Sequence, residues 1–214
     1  MSRDVQPAPQ SGLIIRPIEP RDNLALTQLI TEVWAEFDDT VYFDDPSIPA
    51  GLAPAQPNDT GSVHPEQMSL YQRYQHPAGQ PVDRGYWVVE DPASNRLLGG
   101  GGFAALIGPD PTVCELQKLY LLPELRGQGM GSRLLEIILT HAAQTAYQEM
   151  YLESIPEMAG AVYVYEKFGF HHCPRKGTTG HWRCNIFMSR PLKSAVSHPE
   201  LSASKAEISS VTIP

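Results

Sequence analysis

The chain has 214 residues, 42% of them apolar, with 24 acidic and 16 basic side chains and a net charge of -8. That length suits one well-buried domain, and the charge speaks against a nucleic acid backbone as main partner. No apolar run approaches the roughly 20 residues of a membrane helix, three cysteines make no disulfide framework, and the polar start "MSRDVQPAPQSG" lacks an apolar core, so no membrane and a cytoplasmic compartment are expected.

Residues 1–12 read as a disordered N-terminus, 13–192 as one globular domain and 193–214 as a disordered polar tail. The domain opens with an apolar strand from Leu13, a turn at Pro20 and an amphipathic helix carrying Leu24, Leu26, Leu29, Ile30, Val33 and Trp34 at spacings of three to four. Residues 44–80 shift to Pro, Gly, Asn, Asp and Gln, and read as a lid-like insertion with a short helix around "HPEQMSLYQRY". Acidic Asp38, Asp39, Asp44 and Asp45, with Tyr42, Phe43, Tyr71 and Tyr74 nearby, would suit a cationic ligand, although a charge run is more often a solvated surface.

A hairpin follows, Tyr86 to Glu90 and Leu97 to Ile107, whose second strand holds Gly99 to Gly102 and is weak unless something lies close against it. "VCELQKLYLLP" reads as a strand with Glu115, Gln117, Leu119 and Leu121 on one face and Cys114, Leu116, Lys118 and Tyr120 on the other. Next come a helix burying Leu134, Leu135, Ile138 and Ala142, the strand "EMYLESI", a helix "MAGAVYVYEKFGF" closed by Gly169 and a last strand "RCNIFMSRPL". The β, α, β succession implies a parallel pair with a right-handed crossover inside a mixed α/β (α+β) sheet of about six to seven strands with flanking helices.

The stretch "PELRGQGMGSRLL" sets Gly127, Gly129 and Gly131 directly before a helix, where free backbone amides and the helix dipole favour an anion. It lacks the Gly-Lys-Ser/Thr of a P-loop and the G-x-G-x-x-G of a dinucleotide fingerprint. What remains, Arg126-x-x-Gly129-x-Gly131 between strand and helix, resembles the acyl-CoA diphosphate loop of the GNAT N-acetyltransferase superfamily. "AVYVYEKFGF" is similar to a second segment of that superfamily, with Tyr165 at the position of the tyrosine near the CoA sulfur. The resemblance spans about residues 13–192 and departs at Met158, where members often carry asparagine.

The resemblance implies acetyl-CoA as cosubstrate, held by Arg126, Gly127, Gln128, Gly129, Met130, Gly131 and Ser132 and by the main chain of Leu119 and Leu121. It further implies Glu115 as base and Tyr165 as proton donor to the leaving thiolate, although a strand glutamate at a solvated edge and a merely packing tyrosine are the plainer readings. A covalent route through Cys114, Cys173 or Cys184 is disfavoured, since no triad-like order accompanies them. His171, His172, Cys173, His181 and Cys184 lie close in sequence without a zinc spacing, so no metal is expected. A Thr-Gly-His-x-x-Cys ending like that of some bacterial members gives Thr179 and His181 to the acceptor. The expected activity is direct transfer of acetyl to a primary amine of a small molecule, with room for a homodimer. The alternatives are a protein lysine or N-terminal acetyltransferase and a non-enzymatic acyl-CoA sensor.

Overall fold

The computed structural model describes residues 12–37, 70–75, 81–177, 184–192 and the strand Val211–Thr212. In chain order the elements are β1 (Ile14–Pro17), α1 (Asn23–Ala35), α2 (Leu70–Arg73), β2 (Gly85–Asp91), β3 (Arg96–Ala105), β4 (Val113–Leu121), α3 (Met130–Ala142), β5 (Glu149–Ser154), α4 (Ala159–Lys167), β6 (His171–His172), β7 (Ile186–Pro191) and β8 (Val211–Thr212). Short 3-10 turns open at Pro20, Pro123 and Pro156. Proline there presets the backbone and gives up an amide that would have no partner.

The strands form one mixed sheet in the order β6-β7-β5-β4-β3-β2-β1-β8, in which only β4 and β5 pair in parallel among the described residues. The sheet has eight strands, and the two beyond the six read individually from the sequence are the two-residue β6 and β8, too short to show any periodicity. Ile14 and Ile15 of β1 pair with Thr212 and Val211.

Helices cover both faces. α3 turns Leu134, Leu135, Ile138 and Ala142, the i, i+4 stripe read from the sequence, onto the sheet together with Leu139. α1 buries Leu26, Leu29, Ile30 and Val33 on the other face, while Leu24 in its first turn stays exposed. The entry to α1 is fixed by Arg16, buried on β1, which donates Nε to Glu90 of β2 and forks onto Asp22 at 2.7 and 2.8 Å. Asp22 also accepts the amide of Glu19 at 2.7 Å, closing a capping box. α2 is tied to the start of α1, where the Tyr71 amide donates to Asn23 Oδ1 at 2.9 Å.

Candidate active site

The parallel ladder between β4 and β5 spans only Val113 to Glu115 against Glu149 to Tyr151, although β4 continues to Leu121 and β5 to Ser154. Glu115 therefore sits at the last paired register, and beyond it the two strands part. β4 carries a bulge there. Gly100 pairs with Tyr120 and Gly102 with Gln117, so Lys118 and Leu119 together stand opposite Gly101, and Lys118 takes φ +52°.

The bulge corrects the alternation expected for β4. Glu115 and Gln117 share a face with Tyr120, whose ring meets Trp34 of α1 edge-on at 6.0 Å. Leu119 and Leu121 turn to the α3 face, within reach of Gly101 and Gly131 respectively. The glycine run of β3 makes this possible: the Tyr86 ring lies where side chains at 100 and 102 would stand, and its hydroxyl donates to the Lys118 carbonyl at 3.0 Å.

Past β4 the chain turns at Pro123 to Leu125, and Gly127 and Gly129 adopt left-handed φ of +74° and +81° before α3 starts. The last turn bond is Arg126 N to Pro123 O and the first of the helix is Arg133 N to Gly129 O, leaving the amides of residues 127–132 outside that ladder. A helix N-terminus entered through two left-handed glycines is a concave array of amide donors that fits a diphosphate. Arg126, expected to contact the anion, is engaged elsewhere. Its fork donates to Glu36 at the C-terminal end of α1, at 2.6 and 2.7 Å, and its Nε to Leu121 O at 3.0 Å. The guanidinium holds the Glu36 carboxyl below its ordinary value. A cavity of about 560 Å³ lined by Tyr74, Arg84, Tyr86, Trp87, His141 and Thr145 opens at the opposite, C-terminal end of α3 and is separate from this cradle.

Glu115 is buried, and burial raises its pKa to about 7. Its Oε2 accepts from Gln117 Nε2 at 2.6 Å, and Gln117 Oε1 accepts from the Tyr74 hydroxyl of the α2 segment at 2.7 Å. Glu153 lies two residues beyond the register partner Tyr151 on the same face, its side chain fully buried, with Tyr151 OH at 2.8 Å and Arg175 at 3.6 Å. Tyr165 sits in the last turn of α4. That helix ends in a Schellman motif in which Phe170 N donates to Tyr165 O at 3.0 Å and Gly169 N to Glu166 O at 2.9 Å, with Gly169 at φ +80°. Phe170 then packs against the Tyr165 ring at 5.9 Å, and burial raises the hydroxyl's pKa, which keeps it a donor at neutral pH.

The family model of the acetyltransferase (GNAT) family matches residues 52–170. The uncharacterized N-acetyltransferase YjgM of Escherichia coli K12 is 34% identical over 86% of this chain and 98% of its own length. The chain is a member of the GNAT acetyltransferase family. Among solved structures, Salmonella typhimurium yncA with its cofactor acetyl-CoA is 18% identical with a TM-score of 0.60, over 92% of this chain and 99% of that one. A spermidine N-acetyltransferase chimera of Vibrio cholerae SpeG and hSSAT is 21% identical with a TM-score of 0.53, over 85% and 96%.

As a GNAT protein it is an acetyl-CoA-dependent acyltransferase, and the cosubstrate brings the activated acetyl thioester. Met158 ends the 3-10 turn and caps α4 with its backbone, so no side-chain amide stands at the position where asparagine is common. Cys114 is buried on the face away from Glu115, with Sγ 3.5 Å from Glu149 O, and burial raises its pKa, which leaves a protonated, inert thiol. Among the described residues no three His, Cys, Asp or Glu side chains are grouped to hold a metal, and none of the helices is long and apolar enough to cross a membrane. Thr179 and His181, and the acidic run from Asp38 to Asp45, lie outside the described residues. Sequence reasoning missed Gln117 and Glu36, and named Tyr74 only as an aromatic beside a cationic ligand, not as the partner of Gln117. A signal existed for Gln117, two residues from Glu115 on a strand, and for Glu36, a carboxylate at a helix C-terminus against the dipole. None existed for the hydrogen bond from Tyr74 to Gln117.

Proposed function

We propose that the protein moves acetyl from acetyl-CoA directly to a primary amine of a small molecule, both bound together, with Glu115 as general base and Tyr165 as general acid. The observation that carries this reading is the parting of β4 from β5 immediately beyond Glu115, which leaves β4 backbone from Leu116 to Leu121 without a β5 partner. Pantetheine can run along that edge through the main chain of Leu119 and Leu121, with the diphosphate on the amides of residues 127–132. Alkyl amines are protonated at neutral pH, and a carboxylate with a pKa of about 7 takes a proton far more readily than one at the ordinary 4.5. The protonated Tyr165 hydroxyl donates to the departing thiolate. Two buried carboxylates, Glu115 and Glu153, on one face of the split favour a cationic acceptor. We keep a protein amine as the second reading, because the acidic run outside the described residues would equally receive a lysine.

The test is thiol release from acetyl-CoA over amino acids, polyamines, aminoglycosides and lysine peptides, with Glu115→Gln and Tyr165→Phe in parallel. Release with small amines should fall at least tenfold in each variant, about 1.4 kcal/mol of transition-state stabilisation. Release with peptides alone would move the acceptor to the second reading, and unchanged rates in both variants would remove the two roles.

A further inference from the structure

Glu115 does not stand alone in the split. Its Oε2 accepts from Gln117, whose Oε1 accepts from Tyr74, so three buried side chains from β4 and the α2 segment form one hydrogen-bonded line. The direction of that line is fixed at its far end. Tyr74 is buried and desolvation keeps its hydroxyl protonated, so the proton must be donated, and Gln117 Oε1 is its acceptor. With the carbonyl of Gln117 facing Tyr74, the amide NH2 faces Glu115. Glu115 is thereby addressed by a donor, which favours its ionised form, the form a base requires. Were the amide reversed, its carbonyl would face Glu115 and favour the protonated acid, while the Tyr74 proton would lose its acceptor.

We infer that Tyr74 and Gln117 are positioning residues that lock the Gln117 amide in the orientation holding Glu115 ready to accept a proton. This rests on the reading of Glu115 as the base and extends it to the short helix inside the 44–80 segment. α2 is itself clamped, its Tyr71 amide on Asn23 of α1 and its Tyr74 hydroxyl on β4, so the base is set by the seating of α2. Among the described residues, charges that act on Glu115 include Glu153 from β5, which opposes ionisation, and Arg73 from α2 and Lys118 from β4, which favour it. Gln117 is the neutral member of the set, and it donates directly to the carboxylate.

The experiment follows the glutamate side-chain carboxyl carbons by NMR in protein labelled at that carbon, titrated from pH 4 to 9, without cosubstrate or acceptor. One resonance, missing in Glu115→Gln, should titrate near pH 7. Gln117→Leu removes the donor and should raise that midpoint by about one pH unit, and Tyr74→Phe, which frees the amide to reverse, should raise it by less. Gln117→Met replaces Gln117→Leu if the latter does not fold, and a thermal melt of each variant establishes folding. A midpoint in the ordinary carboxylate range, or one that neither Gln117 nor Tyr74 variants move, overturns the inference, because a residue that only packs would change stability and not this titration. The base reading fails separately: it falls if Glu115→Gln keeps full turnover on an acceptor from the panel, whatever the NMR midpoints do.

Discussion

Arg126 shows how one side chain can be legible as a type and not as a partner. The motif marks it as a cation beside the amide cradle, yet its fork faces Glu36 and its charge is largely answered from within the protein. The pair is about one-third exposed, so its own contribution to stability is small, about 0–1 kcal/mol. Its effect on an arriving diphosphate is larger, since an anion near Arg126 also meets the Glu36 carboxylate. Glu36→Gln should therefore tighten acetyl-CoA several-fold, and Arg126→Ala should weaken it about tenfold, close to 1.4 kcal/mol. Calorimetric titration of both variants decides the matter. Weaker binding in Glu36→Gln would mean that Glu36 holds Arg126 in its working position instead of competing for it.

At the scale of the element, the termination of α4 decides where Tyr165 stands. Gly169 at φ +80° lets the chain reverse so that Phe170 packs on Tyr165, and a side chain at 169 would meet backbone strain of about 1–2 kcal/mol. Gly169→Ala should lower the unfolding free energy obtained from urea titration by that amount and reduce turnover, whereas Gly169→Asn, which tolerates the left-handed region, should do less on both counts. This closure was readable in "YEKFGF", as were the stripe of α3 and the strand-to-helix place of the glycine loop, because each depends on local periodicity or on a residue with unusual backbone freedom. The bulge of β4 was not readable. It arises from pairing with β3, where Tyr86 fills the space above two glycines and holds the Lys118 carbonyl, and that pairing is non-local. Consequently the sequence placed Leu119 and Leu121 on the face of Glu115, and the structure moves them to the other. The line from Tyr74 to Glu115 escaped for the same reason: 43 residues separate Tyr74 from Gln117, and nothing in either neighbourhood marks the contact.

For the molecule as a whole, burying Glu115, the proposed base, has a cost that pH should reveal. The ordinary value for Glu115 is 4.5 and burial raises it to about 7 in the folded chain, so folding favours its protonated form. The stability this group contributes is fully present below 4.5 and is lost as pH rises through 7, a change on the order of 3 kcal/mol. Glu36, Asp91 and Asp110 run the other way: their carboxyls are lowered by hydrogen-bond donors, so their contributions are present above the ordinary carboxylate range and fade in acid. The two trends oppose each other in a melt of the native protein alone. They separate in a comparison with Glu115→Gln, which keeps an acceptor for Gln117 and removes only the ionisation. Urea unfolding at pH 5 and pH 8 should show the variant gaining on the native protein by about 2–3 kcal/mol over that interval, the other carboxylates cancelling in the difference. A constant difference across the interval would mean that Glu115 ionises at its ordinary pH inside the fold, and the buried carboxylate would lose its claim to a base tuned to neutral pH. A growing difference, together with lost turnover, would show stability given up at the site that does the chemistry.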